Sequence, residues 1–351
     1  MPQALCGSDN LQLVGIATTV GNGRQRAALA RQWLRALAVP DDSVPVLPLC
    51  DANTAGCQSP PGFAACDDLE ASAIGEENDT ARAVLQLMCR CCTPTPSPAY
   101  PPVTRSMKHR YSTRLVVIAI APLTPLAAAL QLDEKDGSLG LLRLVNRVYV
   151  QGQAEVSESP PFLVSPGDSA YNFRIDMAAA SEVLQQLHAA QRRVSFLGKH
   201  AAYQISLTKQ DLESLDDPLI PSLTLVARDQ MQEFKRQNPS QFYHLFPVPE
   251  RFRSDSNEAD FAWFQHLPGG IVSHPYDALV VLMAEEDAAS SLPLFARQRL
   301  SDHFEAVGNS PPPAAHGVVD AHAVKSAMLL LIRQAIDRSR VRSSAAARST
   351  L

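Results

Sequence analysis

In open parallel sheets, ligands sit beyond the carboxyl ends of the strands, so polar residues directly after strand-like runs are the first candidates for chemistry. Four places qualify: Asn22 in Val20-Gly21-Asn22-Gly23, Pro122 to Thr124 after the apolar run LVVIAI, Asn172 with Asp176, and Asp277 after Tyr276. An amide there can hydrogen-bond a polar ligand, and a carboxylate can also move a proton or hold a cation. Each has a plainer reading. Asp277 would suit any helix N-terminus, where the dipole favours an anion. Asn172 and Asn22 are good turn residues, and Asp176 is placed to cap the helix that follows it. Gly21-Asn22-Gly23 after a strand has the look of a phosphate loop, but a third glycine and a downstream acid are lacking. Cys89-x-Cys91-Cys92 lacks the paired C-x2-C and the matching Cys/His pair of a zinc site.

The elements that must position these residues alternate in type. Residues 11–19 (LQLVGIATT) read as a buried strand, 24–38 as a helix with Ala28, Leu29, Trp33, Leu34 and Leu37 on one stripe, and 44–47 as a second strand. Strand, helix, strand in this order favours a parallel sheet. Residues 80–91 are helical, and 115–120 (LVVIAI) are wholly apolar, which predicts a central strand. A helix opens at 123–130, a strand at 145–150, a helix at 177–191 and a strand at 194–197. Further helices are expected at 222–245, 258–265 and from 276, with a last one ending near Arg338. The expected fold is a doubly wound, mostly parallel α/β domain over 11–340. Residues 48–112 form an irregular Cys- and Pro-rich insertion, and 341–351 a disordered tail.

Composition narrows the partners. The 351 residues are 46% hydrophobic and 19% charged, enough for a sizeable core, and the net charge of −5 gives no reason to expect nucleic acid or an anionic membrane. No apolar run reaches the roughly 18 to 20 residues that span a bilayer. The first ten residues lack the basic start and apolar stretch of a secretory signal, and seven cysteines make an odd number for a disulfide framework. A cytoplasmic protein is expected, and Ser349-Thr350-Leu351 only loosely matches a peroxisomal S-K-L tail.

Four stretches carry a resemblance. Residues 15–22 (GIATTVGN) resemble the GITTVAGN stretch of inosine–uridine nucleoside hydrolases, and 119–125 (AIAPLTP) resemble their ALGPLTN strand end. Residues 170–176 (AYNFRID) with Ala178-Ala179-Ala180 are similar to EFN-x3-DPEAA, and 276–281 (YDALVV) to the HDPLAV helix start. The four occur in family order and span most of the chain from Leu11. The resemblance implies the nucleoside hydrolase fold and hydrolysis of the N-glycosidic bond of ribonucleosides in purine and pyrimidine salvage. The reaction passes through an oxocarbenium-like state, with calcium gripping the ribose diol and a water. It implies Asp277 and the backbone carbonyl of Ile120 as calcium ligands, Asn172 and Asn22 as substrate contacts, and Tyr276 in the place of the family's catalytic His. A homo-oligomer is also expected.

The departures are specific. The DxDxGxDD motif of the family's first strand is absent from the sequence, and residues 1–6 match the middle of the helix that should follow it, so that strand is missing. Ala170 replaces the Glu of EFN. Tyr276 replaces His, and a hydroxyl with a pKa near 10 is a poorer acid at neutral pH, although its ring can stack on a base. His274, two residues away, is a possible substitute. With one metal carboxylate left, weak calcium binding and slow hydrolysis are expected. The alternative is a catalytically inactive α/β protein that binds a ligand or partner.

Overall fold

The computed structural model describes residues 10–18, 23–40, 43–48, 77–92, 115–136, 140–157, 163–216, 232, 235–236, 239–245, 271–289, 293–310 and 317–349. In chain order these form β1 (Ile16–Thr18), α1 (Gly23–Ala36), β2 (Val46–Pro48), α2 (Glu77–Cys92), β3 (Leu115–Ala119), α3 (Thr124–Asp136), α4 (Leu141–Leu144), β4 (Val145–Gln151), β5 (Ala154–Val156), β6 (Val164–Pro166), α5 (Tyr171–Ile175), α6 (Met177–Ala189), β7 (Arg193–Leu197), α7 (Lys199–Tyr203), β8 (Leu207–Thr208), α8 (Lys209–Glu213), α9 (Pro239–Leu245), β9 (Ile271–Ser273), α10 (Tyr276–Ala289), β10 (Gln298–Arg299), β11 (Phe304–Val307) and α11 (Ala321–Ser349).

The main sheet has the order β10-β11-β7-β4-β3, parallel except for the β10–β11 hairpin. Strands β3, β4, β7 and β11 place apolar residues on both faces because helices cover both. Tyr149, Leu197, Val307 and the half-buried Val116, Ile118 and Ile120 face a core built with Leu279, Met283 and Met328 of α10 and α11. The alternate residues Val148, Val150, Val194, Phe196 and Phe304 face Leu85, Leu130 and Leu184 of α2, α3 and α6. The period of two thus sorts each strand between two helical layers, as expected for a doubly wound fold.

Helix α6 follows from its sequence directly. Ala179, Ala180, Val183, Leu184 and Leu187 are buried on one face, and Asp176 caps the start by accepting from the Ala179 N–H at 3.0 Å. The same carboxylate accepts from Thr124 Oγ1 at 2.8 Å, tying the start of α3 to that of α6.

Two expectations need correction. LVVIAI was expected to be central, yet among the described residues β3 is an edge strand, and all five of its residues are only half-buried. The cause is pairing: β3 bonds to β4 alone, while β1 and β2 form a separate parallel pair, and no described strand joins the two sheets. The tail was expected to be disordered from 341, but α11 continues to Ser349. Alanine and arginine are strong helix formers, and the run extends a helix already held by packing, so no new nucleus is needed. The expected helices at 222–238 and 258–265 fall largely or wholly outside the described residues, as does most of 48–112; the helix at 80–91 is α2.

Helix α8 gives a pH-dependent test. Thr208 and Asp211 form a capping box, and Lys325 Nζ of α11 approaches Asp211 at 3.0 Å. Burial pushes the Asp211 carboxyl up, but the Thr208 bonds and Lys325 outweigh it and hold the group below the usual carboxylate range. A depressed acid stabilises the fold above its ordinary pKa, and that stability is lost as pH falls through the folded-state value. Asp211→Asn is therefore expected to lower the melting temperature at pH 7 and to converge with the wild type as pH falls below the ordinary carboxylate range. Parallel curves across that range would show that the charge plays no part.

Candidate functional site

The candidate residues lie at the carboxyl ends of strands of the main sheet. Ile120 directly follows β3, and because Ala119 pairs with Val150, it lies beside Gln151 at the end of β4. Asn172, on α5, donates from Nδ2 to Gln151 Oε1 at 2.7 Å. Helix α7 starts one residue after β7, and its Tyr203 meets the start of α10, where the Tyr203 and Tyr276 hydroxyls are hydrogen-bonded and the rings pack edge to face at 5.7 Å. The far end of α10 reaches the amino half of β4, where Arg147 pairs with Asp287 at 2.6 Å. Helix α10 therefore runs against the strand direction and presents Tyr276 and Asp277 at the carboxyl edge. Residues 279–286 are all buried, which seats the helix firmly.

Asp277 combines exposure with depth. The residue is exposed, yet protein crowds its carboxyl. Burial pushes its carboxyl above the usual range, against the opposing pull of the Arg26 guanidinium on α1.

Beside it stands a ring cluster. Tyr203 packs edge to face on His274 at 5.5 Å, on Tyr276 at 5.7 Å and on His200 at 6.4 Å. His274 Nδ1 lies 2.9 Å from the Ile205 carbonyl, which places the proton on Nδ1. Burial and the neighbouring Lys199 lower the pKa of His200. Tyr276 is pushed far above its ordinary value by burial, reinforced by Tyr203. It therefore holds its proton more firmly than a free tyrosine, which weakens the case for Tyr276 as an acid and leaves its ring as the useful part.

A charged groove lies elsewhere. It opens at the amino ends of β4, β7 and β11 and is lined by Arg147, Arg297, Glu286, Asp287 and Glu305, whose charges are paired with one another.

The sequence matches no protein-family profile and no curated protein. Solved structures do match. The type III effector XopQ complexed with adenosine diphosphate ribose aligns with a TM-score of 0.62 at 20% identity, over 96% of this chain and 89% of that one. The purine-preferring ribonucleoside hydrolase from Gardnerella vaginalis aligns at 0.53 and 15% identity, over 95% and 94%. A plant nucleoside hydrolase aligns at 0.50 and 14%, over 94% and 93%. The fold is that of the nucleoside hydrolases.

On this nucleoside hydrolase fold, the structure brings Ile120 and Asn172 together across the β3–β4 edge, and Tyr276 and Asp277 at the start of α10. Asn22 and the Cys89, Cys91 and Cys92 side chains lie outside the described residues. Calcium takes about six to eight oxygens. Among the described residues no three His, Cys, Asp or Glu side chains come together to hold a metal. Asp277 and the Ile120 carbonyl alone do not make a calcium shell. Sequence reasoning missed Gln151, His200 and Tyr203. Gln151 ends a predicted strand, and α7 opens one residue after another, so the strand-end rule applied to every strand would have found them.

Proposed function

We propose that this chain binds a ribonucleoside at the carboxyl edge of its sheet, and that its reaction is hydrolysis of the N-glycosidic bond. The observation that carries this reading is Asp277: an exposed residue with a desolvated carboxyl, in a protein of nucleoside hydrolase fold, at the start of a firmly buried helix. Its oxygens accept from ribose hydroxyls, with the bonds strengthened by the low-dielectric surroundings. Asn172 adds a second sugar contact, with Asn22 proposed as a third. The Tyr203, Tyr276 and His274 rings offer a wall against which a nucleobase packs.

Calcium is the metal that the resemblance implies, and it would polarise a water for attack on the sugar. The described donors fall short of its shell, and the second reading is a protein that binds without turnover. The XopQ structure, which holds adenosine diphosphate ribose, makes that compound a second ligand to try.

One experiment separates the readings. The purified chain is incubated with a panel of ribonucleosides and with adenosine diphosphate ribose, with added calcium or with chelator, while free base is measured by chromatography and binding by calorimetry. Base release supports the hydrolase. Binding without release supports the inactive binder. Neither binding nor release removes both readings.

A further inference from the structure

We infer that Gln151 is a positioning residue that fixes which face of the Asn172 amide meets the ligand; this rests on the proposed ribonucleoside site. Asn172 spends an Nδ2 hydrogen on Gln151 Oε1 at 2.7 Å. An amide has one donor end and one acceptor end, so committing the donor turns Oδ1 the other way. Among the described residues Oδ1 has no protein partner, and it is left to accept from a sugar hydroxyl. Without the Gln151 acceptor, the amide is free to rotate by half a turn and present its NH2 group instead.

The backbone that carries Gln151 is held on several sides. It pairs with Leu197 in the parallel β4–β7 ladder, and the next residue, Gly152, donates to the Leu197 carbonyl at 3.1 Å. Gly152 has no room for a side chain, since a Cβ there would lie 2.4 Å from the Phe173 ring of α5, the helix that carries Asn172. Asn309, just beyond β11, then grips Ala154 in both directions: the Ala154 N–H donates to Oδ1 at 2.9 Å, and Nδ2 donates to the Ala154 carbonyl at 2.7 Å. Gln153 donates to the Asn309 carbonyl and accepts from Ser169 at 2.6 Å. The turn after β4 is therefore tied to β7, β11 and the approach to α5. Among the described residues no hydrogen bond or ion pair joins this latch to Asp277, so its action on the sugar runs through Asn172.

The test uses the full chain and calorimetric titration with adenosine and its 2′-, 3′- and 5′-deoxy forms. Removing the hydroxyl that Asn172 reads should weaken wild-type binding by roughly three- to tenfold, the usual size of one neutral hydrogen bond. Asn172→Ala identifies that hydroxyl, because its removal then makes no difference. Gln151→Leu, of similar volume but without an acceptor, should erase the same penalty and leave those for the other hydroxyls intact. Gln151→Glu keeps the acceptor and should restore it, which separates orientation from damage to the fold. If Gln151→Leu keeps the wild-type penalty, the inference is wrong while the ribonucleoside site stands. If the wild type binds adenosine no better than any deoxy form, both are overturned.

Discussion

Asp277→Asn is expected to weaken adenosine binding by about ten- to a hundredfold while leaving the fold at least as stable as before. The two halves of this prediction have one origin. A carboxylate surrounded by protein pays a desolvation penalty that its neighbours have not removed, which is why its pKa is pushed up despite the Arg26 charge. Ribose hydroxyls supply the missing partners, and a hydrogen bond to a charged group contributes about 1.5 to 3 kcal/mol, or ten- to a hundredfold in affinity. Asparagine has nearly the same shape without the charge, so it loses most of the ligand contribution and also the penalty in the free protein. Calorimetric titration and thermal unfolding, read on the same preparation, test both halves. If binding were unchanged, Asp277 would be an ordinary helix-start carboxylate. If the melting temperature fell by several degrees, the charge would be holding the fold together rather than serving a ligand.

Legibility in the sequence followed chemistry that repeats locally. The both-sides-apolar strands at 145–150 and 194–197 and the α6 stripe were readable because burial on two faces, or on one, leaves a fixed period. The cap at Asp176 was readable because the capping rule needs only three residues. Strand β11 was not, although it is a parallel member of the main sheet. Its FEAV run is four residues long and carries Glu305, which answers Arg147, distant in sequence, so no local pattern announces it. The edge position of β3 was equally hidden, since LVVIA reads the same whether one or two neighbours pair with it. At the site, Asp277, Asn172 and Ile120 were named in advance from motif resemblance. What that resemblance could not supply is the Tyr203 ring cluster or the Gln151 bond to Asn172. Both are contacts between separate strand ends and depend on how α7 and α5 settle onto the sheet.

The largest effect on stability is expected at Arg297, far from that site. Its guanidinium reaches Glu286 at 2.6 Å, Asp287 at 2.8 Å and Glu305 at 2.5 Å, and Arg147 bonds Asp287 at 2.6 Å and also engages Glu305. Two cations therefore serve three carboxylates between the sheet and the end of α10. Burial works against the Arg297 charge, but its hydrogen bonds with Asp287 and Glu286 outweigh it and raise its pKa above the ordinary value. The Glu286 side chain is only 6% exposed, and it also accepts from the Leu294 and Phe295 N–H groups, so it cannot turn to solvent when its cation is lost. Arg297→Met leaves three anions around Arg147 alone, and breaking a buried pair from one side costs about 3 to 5 kcal/mol. That is several times the 0 to 1 kcal/mol of an exposed pair such as Arg299–Asp302. Urea unfolding of Arg297→Met should show that loss, and adding Glu286→Gln should recover part of it, because the remaining amide still accepts from the two backbone N–H groups without carrying a charge. A loss below about 1 kcal/mol would place this network with ordinary surface pairs. No recovery in the double variant would mean that Arg297 acts through the packing of its stem rather than through charge.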